Sequence, residues 1–309
     1  MISRAKEIHP SDVSYLRDRF SESAKSSWAY FIPFLTSYNL PPRRRILLVD
    51  YLGSTLVLQH SRRESKERFD LVLPPCPLAE NAFQAIEGML QNSSQEVLRM
   101  LWVDKEDASA LQSKFGLRLT LHLKDREYLY DPKSVSRLQG RAYRDIRKKI
   151  NSVKRLSPNF RRMKMSDALR ARSLHERWRT LQGRSRDFLV DWGYTKAAIN
   201  NFHLFNESDI DAWCVEIGRD LVAFALAGPI DEKTACFFVA KSDIQINGLS
   251  EYLRWKVYAQ LSNYMVVNDA GDLGIEGLEQ YKRKFRPIGF NSVYTARLDR
   301  KGIPGFSDR

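Results

Sequence analysis

The chain has little from which to build a metal centre, a disulfide framework or a membrane span. Its three cysteines, Cys76, Cys214 and Cys236, are odd in number and far apart, and no Cys-x-x-Cys pair occurs. That argues against a disulfide scaffold and a zinc site, and for a reducing compartment. The five histidines (His9, His60, His122, His175, His203) share no spacing suited to a metal, so no metal site is expected. Phosphate-binding P-loops, dinucleotide fingerprints and Gly-x-Ser-x-Gly elbows are absent. The most apolar run, Ile46 to Leu58, is interrupted by Asp50 and Gly53 and is too short to span a bilayer. Met1 to Pro10 lacks the apolar core of a signal peptide. These absences predict a cytoplasmic protein without a transmembrane segment.

Acidic residues are scarce in one place above all. Between Arg137 and Arg186 there are seventeen Lys or Arg and only three acids, Asp145, Asp167 and Glu176. This stretch carries +14 against +13 for the whole chain, so the remainder sums to −1. A localised cationic face attracts a polyanion, with nucleic acid or an anionic lipid surface as the candidates. The 309 residues, 43% hydrophobic and 11% aromatic, are enough for two compact α/β units rather than a disordered basic tail.

A helix is expected from Ser11 to about Ala24, then strands over Ile46–Tyr51, Thr55–Gln59 and Phe69–Leu73. A helix over Leu78–Leu90, a strand over Val97–Val103, a short helix over Lys105–Gln112 and a strand over Leu117–Leu123 complete the first half. In the last strand Leu117, Leu119, Leu121 and Leu123 share one face. The second half opens with two basic helices, Lys133–Leu156 and Ser166–Gln182. A helix near Thr195–Phe205 leads to strands at Ala212–Ile217, Leu221–Ala227 and Thr234–Ala240. The chain closes with a helix at Leu249–Asn263, a strand at Met265–Asn268, a helix at Ile275–Lys284 and a strand at Ser292–Leu298. Helices, a meander and then β-α-β-α-β is the order of a GNAT-type acyltransferase, and the first half follows it more loosely. The expected fold class is therefore α/β (α+β), two tandem GNAT-like folds, each a mixed sheet flanked by helices. The expected domains are residues 1–130 and 131–309.

On a helix running from Lys133 to Leu156, Val135, Leu138, Ala142, Ile146, Ile150 and Val153 form one apolar side. Arg137, Arg141, Arg144, Lys148 and Arg155 form the opposite stripe, about 27 Å long at 1.5 Å per residue. Such a stripe is long enough for several phosphates, and each arginine can donate two parallel hydrogen bonds to one. A solvated helix face is the alternative. Only Asp145 interrupts the run, so i,i+4 pairing cannot neutralise it.

Two segments resemble a known family. One is Glu127-Tyr-Leu-Tyr130 with Leu138-Gln-Gly140, Tyr143 and Arg147 to Ile150. The other is Val267-Asn-Asp-Ala-Gly-Asp-Leu-Gly-Ile-Glu-Gly-Leu278 with Lys282, Phe285 and Pro287. Over residues 125–298 the chain is similar to soluble domains related to the C-terminal domain of phosphatidylglycerol lysyltransferases, whose known members carry two tandem GNAT-like folds. It departs from that pattern after Tyr143, where Arg144 and Asp145 stand in place of a histidine and further basic residues. The resemblance implies transfer of an aminoacyl group from aminoacyl-tRNA to a lipid or to a small-molecule or peptide acceptor. Aminoacyl-tRNA would be the co-substrate and no further cofactor is implied.

An aminoacyl ester is already activated, so the residues must position two substrates, accept a proton and stabilise an oxyanion. Asp272 and Glu276 are the candidates for base or for holding the α-ammonium group. Lys282 is the candidate catalytic cation, and Arg286, four residues on, and Asn268 are substrate-binding candidates. Arg137, Arg141, Arg144 and Lys148 would bind the tRNA backbone. The competing reading is structural: acids at a helix N-terminus and bases at its C-terminus complement the helix dipole. Gly271, Gly274 and Gly277 fit a tight strand-to-helix turn. Acetyl-CoA is disfavoured, because the segment Lys241 to Ser250 offers one glycine, Gly248, and a negative charge at Asp243 where pyrophosphate would sit. Among the aromatics near the basic zone, Trp178 suits core packing better than base stacking, while Trp192 and Tyr194 stay open to either. Two functional alternatives remain: a non-catalytic nucleic-acid-binding protein on this fold, and an acyl-CoA-dependent N-acyltransferase.

Overall fold

A computed structural model describes residues 5–23, 25, 27–63, 66–181 and 189–300. It divides into two compact units, one formed by residues up to 126 together with the chain from 291, the other by residues 127–290.

The first unit contains β1 (Lys6–Glu7), α1 (Val13–Ser21), α2 (Ile32–Tyr38), β2 (Arg44–Tyr51), β3 (Ser54–Arg63), β4 (Lys66–Leu71), α3 (Glu80–Gln91), β5 (Val97–Asp104) and α4 (Lys105–Phe115). The chain leaves it along β6 (Leu119–Tyr130) and returns along β12 (Gly289–Asp299). Its sheet runs β1-β2-β3-β4-β5-β12. The β2–β3 hairpin closes on the two-residue turn Leu52-Gly53, both at positive φ (48° and 89°). That is the turn whose twist matches the flanking strands, and glycine meets half of its demand. β4 runs parallel to β5 and meets it only at Leu71 and Met100. One core lies under α3 and α4, where Leu58, Leu71, Ile86, Met100 and Leu111 are all fully buried.

The described residues between Lys25 and Tyr38 are buried without interruption. Trp28, Phe34 and Tyr38 stack edge-on or tilted on one another and on Trp102. The Lys25 ammonium reaches both Asp107 carboxylate oxygens at 2.7 and 2.6 Å. This segment was not expected as an element, because a helix buried on every side carries no amphipathic period.

The second unit contains α5 (Pro132–Arg137), α6 (Arg144–Lys154), β7 (Asn159–Arg162), α7 (Ala168–Leu181), α8 (Leu189–Asn201), β8 (Asp211–Ile217), β9 (Asp220–Pro229), β10 (Thr234–Ser242), α9 (Leu249–Gln260), β11 (Val266–Asn268) and α10 (Glu276–Lys284). Its sheet runs β6-β11-β10-β9-β8-β7. The run Leu221–Gly228 of β9 is buried throughout, as a central strand covered on both faces must be. β10, α9 and β11 form the one parallel crossover among the described strands of this unit. β10 and β11 pair only over Thr234–Cys236 and Val266–Asn268. Beyond that point β10 continues to Ser242, while the chain after β11 stays with β6, the Asp269 amide donating to the Tyr128 carbonyl at 3.0 Å.

Three expectations change. The helix foreseen over Lys133–Leu156 is two helices. Leu138 ends α5 in the left-handed region (φ 49°), Gly140 follows at φ 85°, and a 3-10 turn over Arg141–Tyr143 precedes α6. The Arg137–Arg155 stripe is therefore not one straight helical face. Ala142 is exposed, and Tyr143 takes its place in the core. Next, β6 starts after a 3-10 turn at Gly116–Arg118 and runs on to Tyr130, so Leu117 and Leu123 are exposed instead of lining a buried face. Finally, the closing strand pairs with β5 from Val293 to Asp299. The chain after residue 290 therefore belongs with the first unit, not with 131–290.

Candidate functional site

The basic region resolves into an open part and a closed part. The Asp131 side chain caps α5 by accepting from the Lys133 and Ser134 amides at 2.9 and 3.3 Å, with Pro132 at the first helical position. The Arg147 guanidinium donates to the carbonyls of Leu138 and Gly140, and so braces the break from inside. Ile146, Ile150 and Val153 hold α6 in the core. Arg137, Arg141, Arg144, Lys148 and Arg155 are all exposed. None of the five has an ion-pair partner among the described residues.

Farther along, Arg161, Arg162 and Arg170 are paired with acids. Arg161 forks onto Asp167 (2.7 and 2.9 Å) and onto Glu216 (2.6 and 3.1 Å). Arg170 reaches Glu216 at 2.8 Å, and Arg162 pairs with Glu207 and Asp211. Hydrogen bonds from Arg161 hold the Asp167 and Glu216 carboxyls down at about 2. Three of these acids, Glu207, Asp211 and Glu216, come from outside the basic stretch, so counting charge along the sequence could not reveal the neutralisation. Residues 182–186 of the stretch and the Trp192 side chain lie outside the described residues. Trp178 is half-buried, with the Lys241 ammonium 4.0 Å from its ring centroid, and Tyr194 stacks on Phe238.

At the C-terminal end of β11 lies a buried polar cluster. Glu127 on β6 is fully buried and accepts from the Asn268 carboxamide at 2.6 Å. Asp269 is 4% exposed and is gripped by Arg254, by the Tyr258 hydroxyl at 3.2 Å and by Lys282 at 3.5 Å. The Lys282 ammonium also donates to the carbonyls of Asp269 and Ala270. Formal charges in the cluster balance, two acids against two bases, as burial requires. Arg254 sits among the rings of Phe237, Tyr258, Tyr281 and Phe285. Burial and the neighbouring Glu127 carboxylate push the Cys236 thiol well up, so it is held neutral and is no nucleophile.

The loop that follows presents Asp272. Ala270 (φ 50°), Leu273 (φ 59°) and Gly274 (φ 70°) all adopt left-handed backbone conformations. Only glycine does so without strain, and strained non-glycine residues gather at sites where surroundings over-determine the geometry. The Asp272 carboxylate accepts from the Tyr128 hydroxyl at 2.6 Å and from the Gly274 amide at 2.9 Å, and remains partly exposed. Burial and this carboxylate push the Tyr128 hydroxyl far up, so it stays a donor.

The sequence candidates are therefore only partly brought together. Asn268 and Asp272 share the cluster and its loop. Lys282 is there too, but at 4% exposure its three N–H groups are committed to protein oxygens. It supports the Asp269–Ala270 turn and has no donor left for a substrate oxyanion. Glu276 is exposed on α10 and accepts from Gln280 at 3.0 Å, apart from the cluster. Arg286 is exposed at φ 58° and acts on Tyr143, so it belongs with the open basic segment. Sequence reasoning missed Glu127, Asp269, Arg254 and Tyr258 as site residues. A signal was available at Arg254, a charge set among Tyr252, Leu253, Val257 and Tyr258 on the buried side of α9.

Where a GNAT-type cofactor site would lie, the start of α9 is closed. Gly248 has φ 87°, and a Cβ there would meet the Lys149 carbonyl oxygen at 2.7 Å. In the first turn the Glu251 carboxylate is 2% exposed and takes the Lys149 ammonium at 2.6 Å. A helix start that already holds a buried carboxylate does not suit a pyrophosphate. Among the described residues, no cluster of His, Cys, Asp and Glu is placed to hold a metal ion.

The parallel β10–β11 pair, its crossover helix and the antiparallel meander define a GNAT-like mixed α/β fold, present in tandem. The family model for phosphatidylglycerol lysyltransferase, C-terminal, matches residues 54–297, and the chain belongs to that family. It is similar to a conserved protein of unknown function from Bacteroides thetaiotaomicron (17% identity, 96% of this chain and 99% of that one, TM-score 0.76). It is also similar to L-PGS from Bacillus licheniformis (13% identity, 97% and 95%, TM-score 0.70). A third likeness is to the C-terminal domain of a lysylphosphatidylglycerol synthetase from Agrobacterium fabrum (12% identity, 96% and 99%, TM-score 0.64). Comparison with curated proteins finds no match. No described helix is long and apolar enough to cross a membrane.

Proposed function

We propose that the second unit transfers an aminoacyl group from aminoacyl-tRNA to an amine or hydroxyl acceptor in the cytoplasm. The observation that carries this reading is the set of five exposed, unpaired cations between Arg137 and Arg155 in a member of this family. A tRNA backbone would neutralise them. Asp272, partly exposed and oriented by Tyr128 and the Gly274 amide, would accept the proton from the attacking N–H or O–H. The new C–N or C–O bond forms at the ester carbonyl, the ester C–O bond breaks, and the tRNA ribose oxygen leaves with a proton. The closed start of α9 favours tRNA over acyl-CoA as donor, since Glu251 and the tight Gly248 contact oppose a pyrophosphate there.

Single-turnover transfer from total charged tRNA to candidate acceptors tests the reading, with Asp272→Asn compared to the parent. Transfer should fall by about 10²–10⁴-fold while tRNA affinity stays within twofold. A variant that transfers at the parent rate would exclude Asp272 as the base. Absence of any acylated product from the parent protein would favour the non-catalytic nucleic-acid-binding alternative, for which the same basic face suffices.

A further inference from the structure

The first unit carries a second concentration of positive charge, absorbed by none of the chemistry above. Its centre is Tyr38, 6% exposed, at the end of α2. No hydrogen-bond partner of the Tyr38 hydroxyl is found among the described residues. The Arg44 guanidinium stacks on the Tyr38 ring at 3.5 Å and donates through Nε to the Tyr38 carbonyl at 2.7 Å, while its Nη2 is buried with no protein acceptor. Arg68 and Arg99 converge on the fully buried Asp70, Arg68 through Nε at 3.0 Å and Arg99 through Nε and Nη2 at 3.1 and 2.5 Å. Asp70 thus leaves both Nη groups of Arg68 and one of Arg99 uncommitted. The Lys124 ammonium sits 4.3 Å from the Trp102 ring centroid, a ring that also packs on Tyr38.

These groups feel one another. Arg44, Arg99 and Asp70 all act on the Tyr38 hydroxyl. Desolvation pulls the Lys124 ammonium below its ordinary range, and Arg99 adds to this, while Asp125 opposes it. Desolvation likewise lowers the Arg44 guanidinium. Four cations meet two carboxylates, Asp70 and Asp125, which leaves an excess of two positive charges. A cluster of like charges, partly removed from water, is unfavourable by itself and becomes favourable when an anion fills it.

We propose that Tyr38, Arg44, Arg68, Arg99 and Lys124 form a binding site for a phosphate group, a monoester or a diester. The two-charge excess matches a phosphate dianion. Guanidinium forks suit its oxygens better than a single carboxylate would, and a buried phenol supplies a neutral donor beside them. A small phosphorylated ligand and an RNA backbone phosphate share this chemistry. The site lies wholly in the first unit and does not depend on the reading given for the second.

The test uses the full chain at constant ionic strength, with chloride as the balancing anion. Inorganic phosphate and pyrophosphate are titrated calorimetrically into the parent, Tyr38→Phe, Lys124→Gln and Arg44→Gln, and tRNA binding is measured on the same proteins. Tyr38→Phe removes one oxygen and Lys124→Gln removes the charge while leaving a side chain over Trp102, so both keep the inference testable if Arg44→Gln fails to fold. Pyrophosphate binding weakened at least fivefold in Tyr38→Phe and Lys124→Gln, but unchanged in Arg141→Gln/Arg144→Gln, supports a small phosphorylated ligand. Weakened tRNA binding in the same two variants, without phosphate binding by the parent, supports an RNA phosphate. If neither anion binds, or both bind the variants as tightly as the parent, the inference is overturned.

Discussion

Replacing Arg141 and Arg144 together by glutamine tests the open basic face most directly. Both side chains are exposed and lack acidic partners, Arg141 opening the 3-10 turn between α5 and α6 and Arg144 following it, so their removal breaks no ion pair. Each phosphate contact on a duplex contributes a slope of about 0.9 in the logarithm of affinity against the logarithm of salt. If each arginine meets one phosphate, the slope should fall by about 1.8, and affinity at 0.15 M salt by about 30-fold. Arg162→Gln is the internal control. It too lies in the basic stretch, but it is paired with Glu207 and Asp211, so tRNA affinity should change less than twofold. Filter binding or fluorescence anisotropy with labelled tRNA between about 50 and 200 mM salt reads both quantities. Equal losses in the two variants would sink the division into open and closed parts. An unchanged slope in the double variant would mean that these arginines meet no phosphate.

Lys282→Met should destabilise the fold by about 3–5 kcal/mol, because it strips one cation from the buried Asp269 and frees two carbonyls; thermal or urea unfolding measures this, and a loss of activity at parental stability would restore a catalytic role to Lys282. Acid stability should depend on Asp167 and Glu216, whose carboxyls drop from 3.8 and 4.5 to about 2 in the folded protein. The folded state then binds fewer protons than the unfolded chain, so this stabilisation is complete above about pH 4.5 and lost as pH falls toward 2. Arg161→Gln should flatten the urea-midpoint profile across that window, and an equally steep profile in the variant would assign the acid sensitivity to other groups.

Much of the architecture was legible because its elements obey a single period. The β2–β3 hairpin, β8 to β10 and the β10–α9–β11 crossover fall within a few residues of their expected places, since alternation, buried runs and turn residues state them locally. The break in the basic helix was harder to read. Gly140 was visible, but the left-handed cap falls on Leu138 and is braced by Arg147 bonds to two carbonyls. α2 was invisible, because total burial erases the polar face that marks a helix. Of the candidate site, Asp272 and Asn268 stood out within the segment that resembles the family. Asp269, beside them, carries no such mark in the sequence, because only burial distinguishes it from its neighbours.

The sequence by itself determined that positive charge is concentrated between Arg137 and Arg186, that the element order is GNAT-like and that residues 125–298 carry the family's signature segments. These are properties of composition and local order, which the chain keeps however it folds. The tertiary structure alone decided which charges are available. Glu216, Glu207 and Asp211 lie 30 or more residues from the arginines they neutralise, and Arg254 and Lys282 converge on Asp269 from different helices. Coulomb energy depends on distance in space and on burial, and neither is written in the order of residues.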